Sequence, residues 1–450
     1  MTSPAQPGDG FPLSRQHDFL RLLDSGTESG PFGPRNTIVG GWRVRGRIDV
    51  AALRGALDDL VVRHESLRTR TVLGAEPRQR VLPPSSPELT FEDLDAAPGG
   101  RDAAAERFVN RIEAGEFDAE SVPQLRVVLG RFAAEDAVLS FIAHHNAVDG
   151  WSAQIVLRDL AELYAARRDG RPANLPVMRQ YREFAGWQRD ELASPSAARA
   201  RDYWRDQLRG AAAMPLPVDR PRLPGAEFRT GWYRFLLDDG IKRAVAALAK
   251  ETRTSQFMVL YAAFLLHLRD RTGETDVVLP TFSPGRGTAG FQDTIGLFYN
   301  YLPLRTNLAG ARDLVDLLPR VRRTCLEGYR HELPFSEVLG QAPELMRRVT
   351  TLDGAGLAFQ VIQSPYMMAD TEVGGLRFTA IRRRLLSARV GSQIPDGVLW
   401  TLEPQHDGGI VGKIGYTDNM FGEAGIEAMV GEFHESLRRI FFPGFSAAAA

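Results

Sequence analysis

Two adjacent histidines, His144 and His145, are followed four residues later by Asp149 and then by Gly150, Trp151 and Ser152. Imidazole is the side chain that titrates nearest neutrality, so this segment holds a candidate general base. On a strand, neighbouring side chains face opposite ways, which lets one histidine work while the other braces. A carboxylate at 149 can hold the loop or pair with a distant arginine, and Gly150 permits a bend and a close approach. The backbone N–H at Gly150 is a candidate donor to an oxyanion forming beside the base. A metal reading uses His144, His145 and Asp149 as ligands, but opposed histidines converge poorly and no second His or Cys cluster completes the site, so no metal is expected.

The segment stands where an apolar strand gives way to a helix. Leu125 to Phe132 and Ala137 to Ala143 are strand-like runs parted by a turn at Glu135-Asp136. Ser152 is expected to cap the following helix, through about Arg168, rather than to act as a nucleophile; Val156, Leu157, Leu160, Leu163 and Tyr164 form its buried stripe. Upstream, Asn36 to Arg47 alternates as a strand, and Asp49 caps a helix bearing Leu53, Leu57, Leu60, Val61 and His64 on one face. From Arg171 to about Gly225 the pattern loosens and prolines collect, which predicts a surface connector. The order then repeats: a strand at Gly231 to Leu237, helices at Ile241 to Lys250 and Ser255 to Leu268, and a strand at Asp276 to Phe282. This predicts an α/β chain of two pseudo-duplicated lobes, residues 1–175 and 176–450, as the length of 450 residues also suggests.

With 55 basic against 56 acidic side chains the formal charge is -1, which gives no global field for nucleic acid or an anionic membrane. Met1 to Gly10 lacks the features of a secretory leader, and Met258 to Leu268, interrupted by His267, is too short to span a bilayer, so a cytoplasmic setting is expected. Cys325 is the only cysteine, which rules out an intrachain disulfide and reads as a small buried residue.

The string His144-His145-x-x-x-Asp149-Gly150-Trp151-Ser152 resembles the signature of nonribosomal-peptide condensation domains. Other segments resemble that family's motifs in the same order: Ser14 and Gln16 near the start, Arg63 to Thr69, Tyr181 to Trp187, Gly285-Arg286, Ile295 to Arg305, and His331 to Phe335. The resemblance implies two chloramphenicol-acetyltransferase-like lobes in a V-shaped pseudo-dimer, with a tunnel between them. It implies His145 as catalytic base, His144 as its support, and Asp149 as a structural carboxylate paired with Arg286. Trp151, Ser152, Ser283, Gly285, Tyr299, Asn300 and Gln363 are then expected along the tunnel. Ser283 to Gly287 lacks the Lys-Ser or Lys-Thr of a nucleotide loop and reads as tunnel floor, and His331 reads as structural.

The implied chemistry is transfer of an acyl or aminoacyl group from a phosphopantetheine thioester to an amine or alcohol, making an amide or ester in natural-product biosynthesis. The chain itself would bind no cofactor. The pantetheine arm would come on an acyl-loaded peptidyl carrier protein in trans, since Phe441 to Ala450 shows no carrier or adenylation domain; the acceptor would be a small molecule or a second carrier. A coenzyme A-dependent acyltransferase and a non-catalytic recruiting module are the alternatives. The former lacks its Asp-Phe-Gly-Trp-Gly motif here, and the latter would have no use for both histidines. Three departures from the family pattern bear on the acceptor: the opening motif Leu13 to Phe19 lacks the family's tryptophan farther along, which favours a free acceptor, Tyr299 stands where valine is common and Tyr301 where threonine is.

Overall fold

The structure is a computed structural model and describes residues 10–442 except 25, 97, 98, 224, 288, 289, 364–367 and 407. Most of the two chain ends read above, Met1 to Gly10 and Phe441 to Ala450, lies outside the described residues.

The strand Asp136–His144 is buried along its whole length, which explains why it is apolar apart from its ends and Ser140, whose hydroxyl donates to Gly40 O. Leu139, Phe141 and Ala143 face the helices Val50–Arg63 and Gly150–Asp169, whereas Val138 and Ile142 face the helix Gly100–Glu113. Its neighbours in the six-stranded sheet are Thr37–Arg45 and Arg126–Ala133, both antiparallel. Thr37 sits opposite His144 and fixes where the strand ends.

The second lobe is built on a four-stranded sheet in the order Leu357–Val361, Val398–Pro404, Ile410–Thr417, Thr230–Leu237. The hairpin Asp276–Ser283 with Asn300–Asn307 stands beside it. The helix Gln256–Thr272 runs through this lobe's core, with Met258 to Leu268 all buried, which is why that stretch lacks a polar face.

Two expectations need correction. The stretch after Arg171 is not simply a connector: it contains the helices Tyr181–Leu192 and Pro195–Gln207. The first starts at a reciprocal Gln180/Glu183 cap, the second at Ser194 with Pro195 in its first turn. Prolines and arginines hid them because Pro195–Gln207 buries only Ala197, Ala200 and Trp204. The second correction concerns Ser152: the helix begins earlier, at an Asp149 cap whose side chain accepts from the Ser152 N–H.

The first lobe's sheet also extends past residue 175. Strands Thr371–Val373 and Leu376–Ala380 cross from the second lobe and add to its edge, with Leu376–Ala380 pairing antiparallel to Thr37–Arg45. Leu376 and Phe378 enter the first lobe's core, so the crossing is held by apolar packing as well as by backbone pairing.

Candidate active site

The loop from His145 to Asp149 is tied down almost peptide by peptide. The His145 N–H donates to Asn36 O at 2.8 Å and the Asp149 N–H to Gly296 O at 3.2 Å. Asn146 O accepts from His17 Nε2 at 2.8 Å, and Ala147 O accepts from Ser66 Oγ at 2.8 Å. These partners come from four separate segments and add to the loop's own turn, in which the Ala147 N–H donates to His144 O at 3.0 Å.

The two histidines divide their work. His144 is fully buried; its Nε2 lies 3.0 Å from Gly33 O, and its Nδ1 accepts from the Asn146 N–H at 3.2 Å. Both ring nitrogens are spoken for, and burial lowers its pKa to about 4, so it stays neutral as a brace. His145 differs. Its residue is partly exposed while Nδ1 is buried without a regular hydrogen-bond partner, which leaves Nε2 as the edge that can meet a substrate. Burial lowers its pKa, against the opposing pull of its own and the Val148 backbone and of the Asp149 carboxylate. The imidazole is therefore a free base at neutral pH.

Asp149 and Arg286 join the lobes beneath this base. An Arg286 amino group donates to Asp149 Oδ1 at 3.0 Å, to Oδ2 at 3.3 Å and to Ser152 Oγ at 2.7 Å. The other amino group donates to the carbonyls of Phe291 and Thr294, and the guanidinium lies 3.9 Å from the Phe298 ring centre. Asp149 Oδ2 also accepts from the Phe298 N–H at 3.0 Å. Ser152 Oγ accepts from Gly296 N and lies 3.0 Å from Gly296 O, so this hydroxyl is saturated and holds no nucleophile.

Gly150 opens the helix, is exposed, and has an ordinary φ; a Cβ there would meet nothing within 4 Å. The bend expected of it is absent, and a side chain at this position would project into open space. Gly285 is the glycine that the backbone needs: its φ is +64°, and a Cβ would come within 1.9 Å of Phe298 O. Trp151 is half-buried and donates from Nε1 to Gln292 O. Tyr299 packs against the base with ring centres 5.0 Å apart.

Two of the residues expected along the tunnel, Ser283 and Asn300, share one carboxylate. Ser283 Oγ donates to Glu332 Oε2 and Asn300 Nδ2 to Glu332 Oε1, so one carboxylate ties both strands of the hairpin. Gln363 stands apart, exposed beyond the strand Leu357–Val361 and next to the undescribed residues 364–367. His331 stacks on Tyr203 at 4.2 Å, and Cys325 is buried, its thiol pKa pushed up to about 12 by that burial. Among the described residues no group of three His, Cys, Asp or Glu could hold a metal ion, and no helix is long and apolar enough to cross a membrane.

His17 was given no role by its sequence context. It is fully buried, its pKa lowered to about 4 by that burial, and besides Asn146 O it meets Ser14 Oγ at 2.8 Å. Ser14 in turn lies 2.7 Å from Tyr181 Oη, which donates to Leu297 O. The only signal for this chain of contacts was that Ser14 and Tyr181 fall in ordered motifs.

A family model described as Condensation domain matches residues 41–441. A linear gramicidin synthase of Brevibacillus parabrevis is 31% identical over 442 residues, 96% of this chain and 8% of that protein. Phosphinothricin tripeptide synthetase PhsC of Streptomyces viridochromogenes is 35% identical over 346 residues, 75% of this chain and 32% of that one. The chain thus spans at most about a third of the length of these two curated relatives. Among solved structures, the SgcC5 protein of Streptomyces globisporus, in complex with (R)-(-)-1-(2-naphthyl)-1,2-ethanediol and sucrose, has a TM-score of 0.92 at 39% identity, over 96% of this chain and 98% of that one. The first condensation domain of the calcium-dependent antibiotic synthetase has a TM-score of 0.78 at 18% identity, over 97% of each chain, which is a likeness of fold. The expected pair of chloramphenicol-acetyltransferase-like lobes is the fold these structures share with this chain.

Proposed function

The chain belongs to the condensation-domain family, and from that premise we propose that it moves an acyl or aminoacyl group from a carrier protein's phosphopantetheine thioester to an amine or alcohol. The observation that carries this reading is the asymmetry of the two histidines: His144 has both nitrogens engaged, while His145 offers Nε2 at the seam of the lobes.

A thioester is already activated, so holding its carbonyl against the acceptor supplies much of the rate, an effect worth roughly 7 to 11 kcal/mol. In the step proposed, the acceptor's lone pair forms the new C–N or C–O bond as His145 Nε2 takes its proton. The tetrahedral oxyanion faces the first-turn N–H of Gly150. Collapse breaks the C–S bond, and the proton passes from His145 to the departing sulfur. Arg286 and Asp149 touch no reacting atom here; they hold the loop that carries the base.

Two acceptor readings have separate support. The synthetase relatives, at 31% and 35% identity, favour an amine and an amide product. The SgcC5 protein, matched over nearly its full length and bound to a diol, favours a free small-molecule alcohol and an ester product, with the carrier supplied in trans.

The test is to incubate the protein with several acyl-loaded carrier proteins and to compare amine and alcohol acceptors by mass spectrometry. His145→Ala should cut turnover about 100- to 10,000-fold while leaving the thermal transition in place. Undiminished transfer by that variant would remove His145 from the mechanism. Equal transfer from free acyl-coenzyme A would favour the coenzyme A-dependent alternative.

A further inference from the structure

Behind the base lies a carboxylate that the transfer step does not use. Glu332 stands in the turn between the helices Leu314–Arg330 and Phe335–Gln341 and meets the loop end of the hairpin, where Ser283 and Asn300 pair across the strands. The Ser283 hydroxyl donates to its Oε2 at 2.9 Å and the Asn300 amide to its Oε1 at 3.0 Å. Both partners are neutral. The buried carboxylates Glu113, Asp136, Asp149 and Asp159 each meet an arginine, whereas Glu332 makes no ion pair among the described residues. Burial accordingly raises its pKa, with the Asn300 and Ser283 hydrogen bonds pulling the other way. A charge placed there without a cation costs stability, so its use lies in what it holds.

Two short routes run from this carboxylate to His145. In the first, Ser283 Oγ, its proton directed at Glu332, accepts from the Gly285 N–H at 3.1 Å. That bond sets the turn in which Gly285 takes its φ of +64°, and the next residue is Arg286, whose guanidinium holds Asp149 and Ser152 at the base's loop. In the second, the Asn300 side chain is locked by Leu333 O and by the Phe335 N–H, at 2.8 and 3.0 Å, and its neighbour Tyr299 packs on the imidazole. Two donors therefore converge on residue 332, and each needs an acceptor. A carboxylate supplies both; the amide of a glutamine supplies one, because its NH2 end only donates.

We infer that Glu332 is a positioning residue for the transfer reaction: its carboxylate fixes the Ser283 hydroxyl and, through Gly285 and Arg286, the loop that carries His145. The inference rests on the acyl-transfer reading and deepens it, since it adds a residue of the second lobe on which the placement of the base depends.

The experiment measures kcat and KM for Glu332→Gln, Ser283→Ala and the double variant, with a carrier-bound donor and an acceptor that the wild type turns over. In Glu332→Gln the locked Asn300 amide keeps the glutamine oxygen, so the new NH2 faces Ser283 and competes with the Gly285 N–H for its oxygen. There kcat should fall about 10-fold with KM within about 2-fold, because a displaced base slows the reaction without weakening ground-state binding. Ser283→Ala should show the same split. The double variant should be no slower than the slower single one, since both changes break one route. A merely structural tie would lower the thermal transition and leave kcat per folded molecule at the wild-type value, and that result overturns the inference. A rise in KM alone overturns it too, as does a double variant whose loss is the product of the two single losses. Should Glu332→Gln fail to fold, Ser283→Ala carries the test, and a wild-type kcat in that variant is the overturning result. A wild-type protein that yields no product with any carrier and acceptor overturns the acyl-transfer reading itself, so the two failures are told apart by whether the wild type is active.

Discussion

Among the charged contacts that join the lobes, two are built on opposite principles. Beside the base, one carboxylate and one guanidinium, Asp149 and Arg286, meet inside a shell of backbone partners that leaves each group many bonds. At the crossover, one carboxylate serves several cations. Glu113, on the helix Gly100–Glu113, accepts from Arg234 of the second lobe at 2.6 Å and from Arg384 of the crossing segment at 2.5 Å, with Lys413 nearby. Burial would raise the Glu113 pKa, but Arg384 and Arg234, with Lys413, hold it down at about 2. The crowding shows on the other side too, since burial lowers the pKa of both Lys413 and Arg234. The first joint is satisfied locally and fixes the geometry of a loop. The second gathers Arg234, Arg384 and Lys413 around Glu113, with Glu403 and Glu106 adding negative charge nearby, and ties the crossing segment to the first lobe.

The sharpest way to break this contrast is to remove Arg286. Arg286→Ala leaves Asp149, Ser152 Oγ and two carbonyls without their buried donor, so a loss of about 3 to 5 kcal/mol is expected in denaturant unfolding, together with loss of transfer in whatever protein remains folded. Wild-type stability and turnover in Arg286→Ala would show the first joint to be dispensable. Glu113→Gln should cost less, about 2 to 3 kcal/mol, because the amide oxygen can still accept one hydrogen bond while the charge is lost. Its readout is different as well: the His145 loop is untouched, so turnover per folded molecule should stay within a few-fold of wild type. A Glu113→Gln protein that is fully stable but inactive would reverse the roles assigned to the two joints.

How far the sequence reaches follows the same division. The His144 to Ser152 string was legible because the catalytic loop is one contiguous segment, and the strand before it, apolar from Ala137 to Ala143 except for Ser140, could be read from residue type. The Asp149 to Arg286 contact spans 137 positions, which no spacing rule could supply; only the resemblance suggested it. Ser152 was misread as the cap because Asp149 and Ser152 are both good capping residues three apart, and only the backbone conformation at 149 decides between them. The helix Pro195–Gln207 was missed because its buried stripe is made of alanines and one tryptophan. Nothing in Leu376 to Ala380 says that it pairs with Thr37–Arg45 more than 300 residues earlier, since a strand's pattern gives its faces but not its partner.

Acid should separate the joints without mutation. His17 and His144 have pKa values lowered by burial to about 4, below the ordinary 6.5. The unfolded chain therefore binds protons first: the stability these residues contribute is complete above about pH 6.5 and is lost as pH falls toward 4. At pH 5.5 each should cost about 1 kcal/mol. Glu113, held at about 2 against an ordinary 4.5, contributes stability that is complete above pH 4.5 and falls only below it. Hydrogen exchange at pH 5.5 should accordingly show the segment around residues 144–149 opening more readily than at pH 7.5, with the crossover near Arg384 unchanged. Simultaneous loosening of both would mean that they form one cooperative unit.

The smallest expected effect concerns Gly150, the residue that follows Asp149 and opens the helix. Gly150 occupies the first helical position with an ordinary φ, and a methyl group there would project into open space. On helix propensity alone, Gly150→Ala should leave stability unchanged or raise it by up to about 1 kcal/mol, since alanine loses less backbone freedom on folding. If that space is where the thioester carbonyl lies against the first-turn N–H, the same methyl group should slow transfer about 10-fold by displacing the carbonyl from its aligned position. The melting temperature and kcat/KM of this variant should thus move apart, one level or rising and the other falling. Transfer at the wild-type rate would place the reacting carbonyl elsewhere around His145, and a drop in both would mean that Gly150 serves the fold after all.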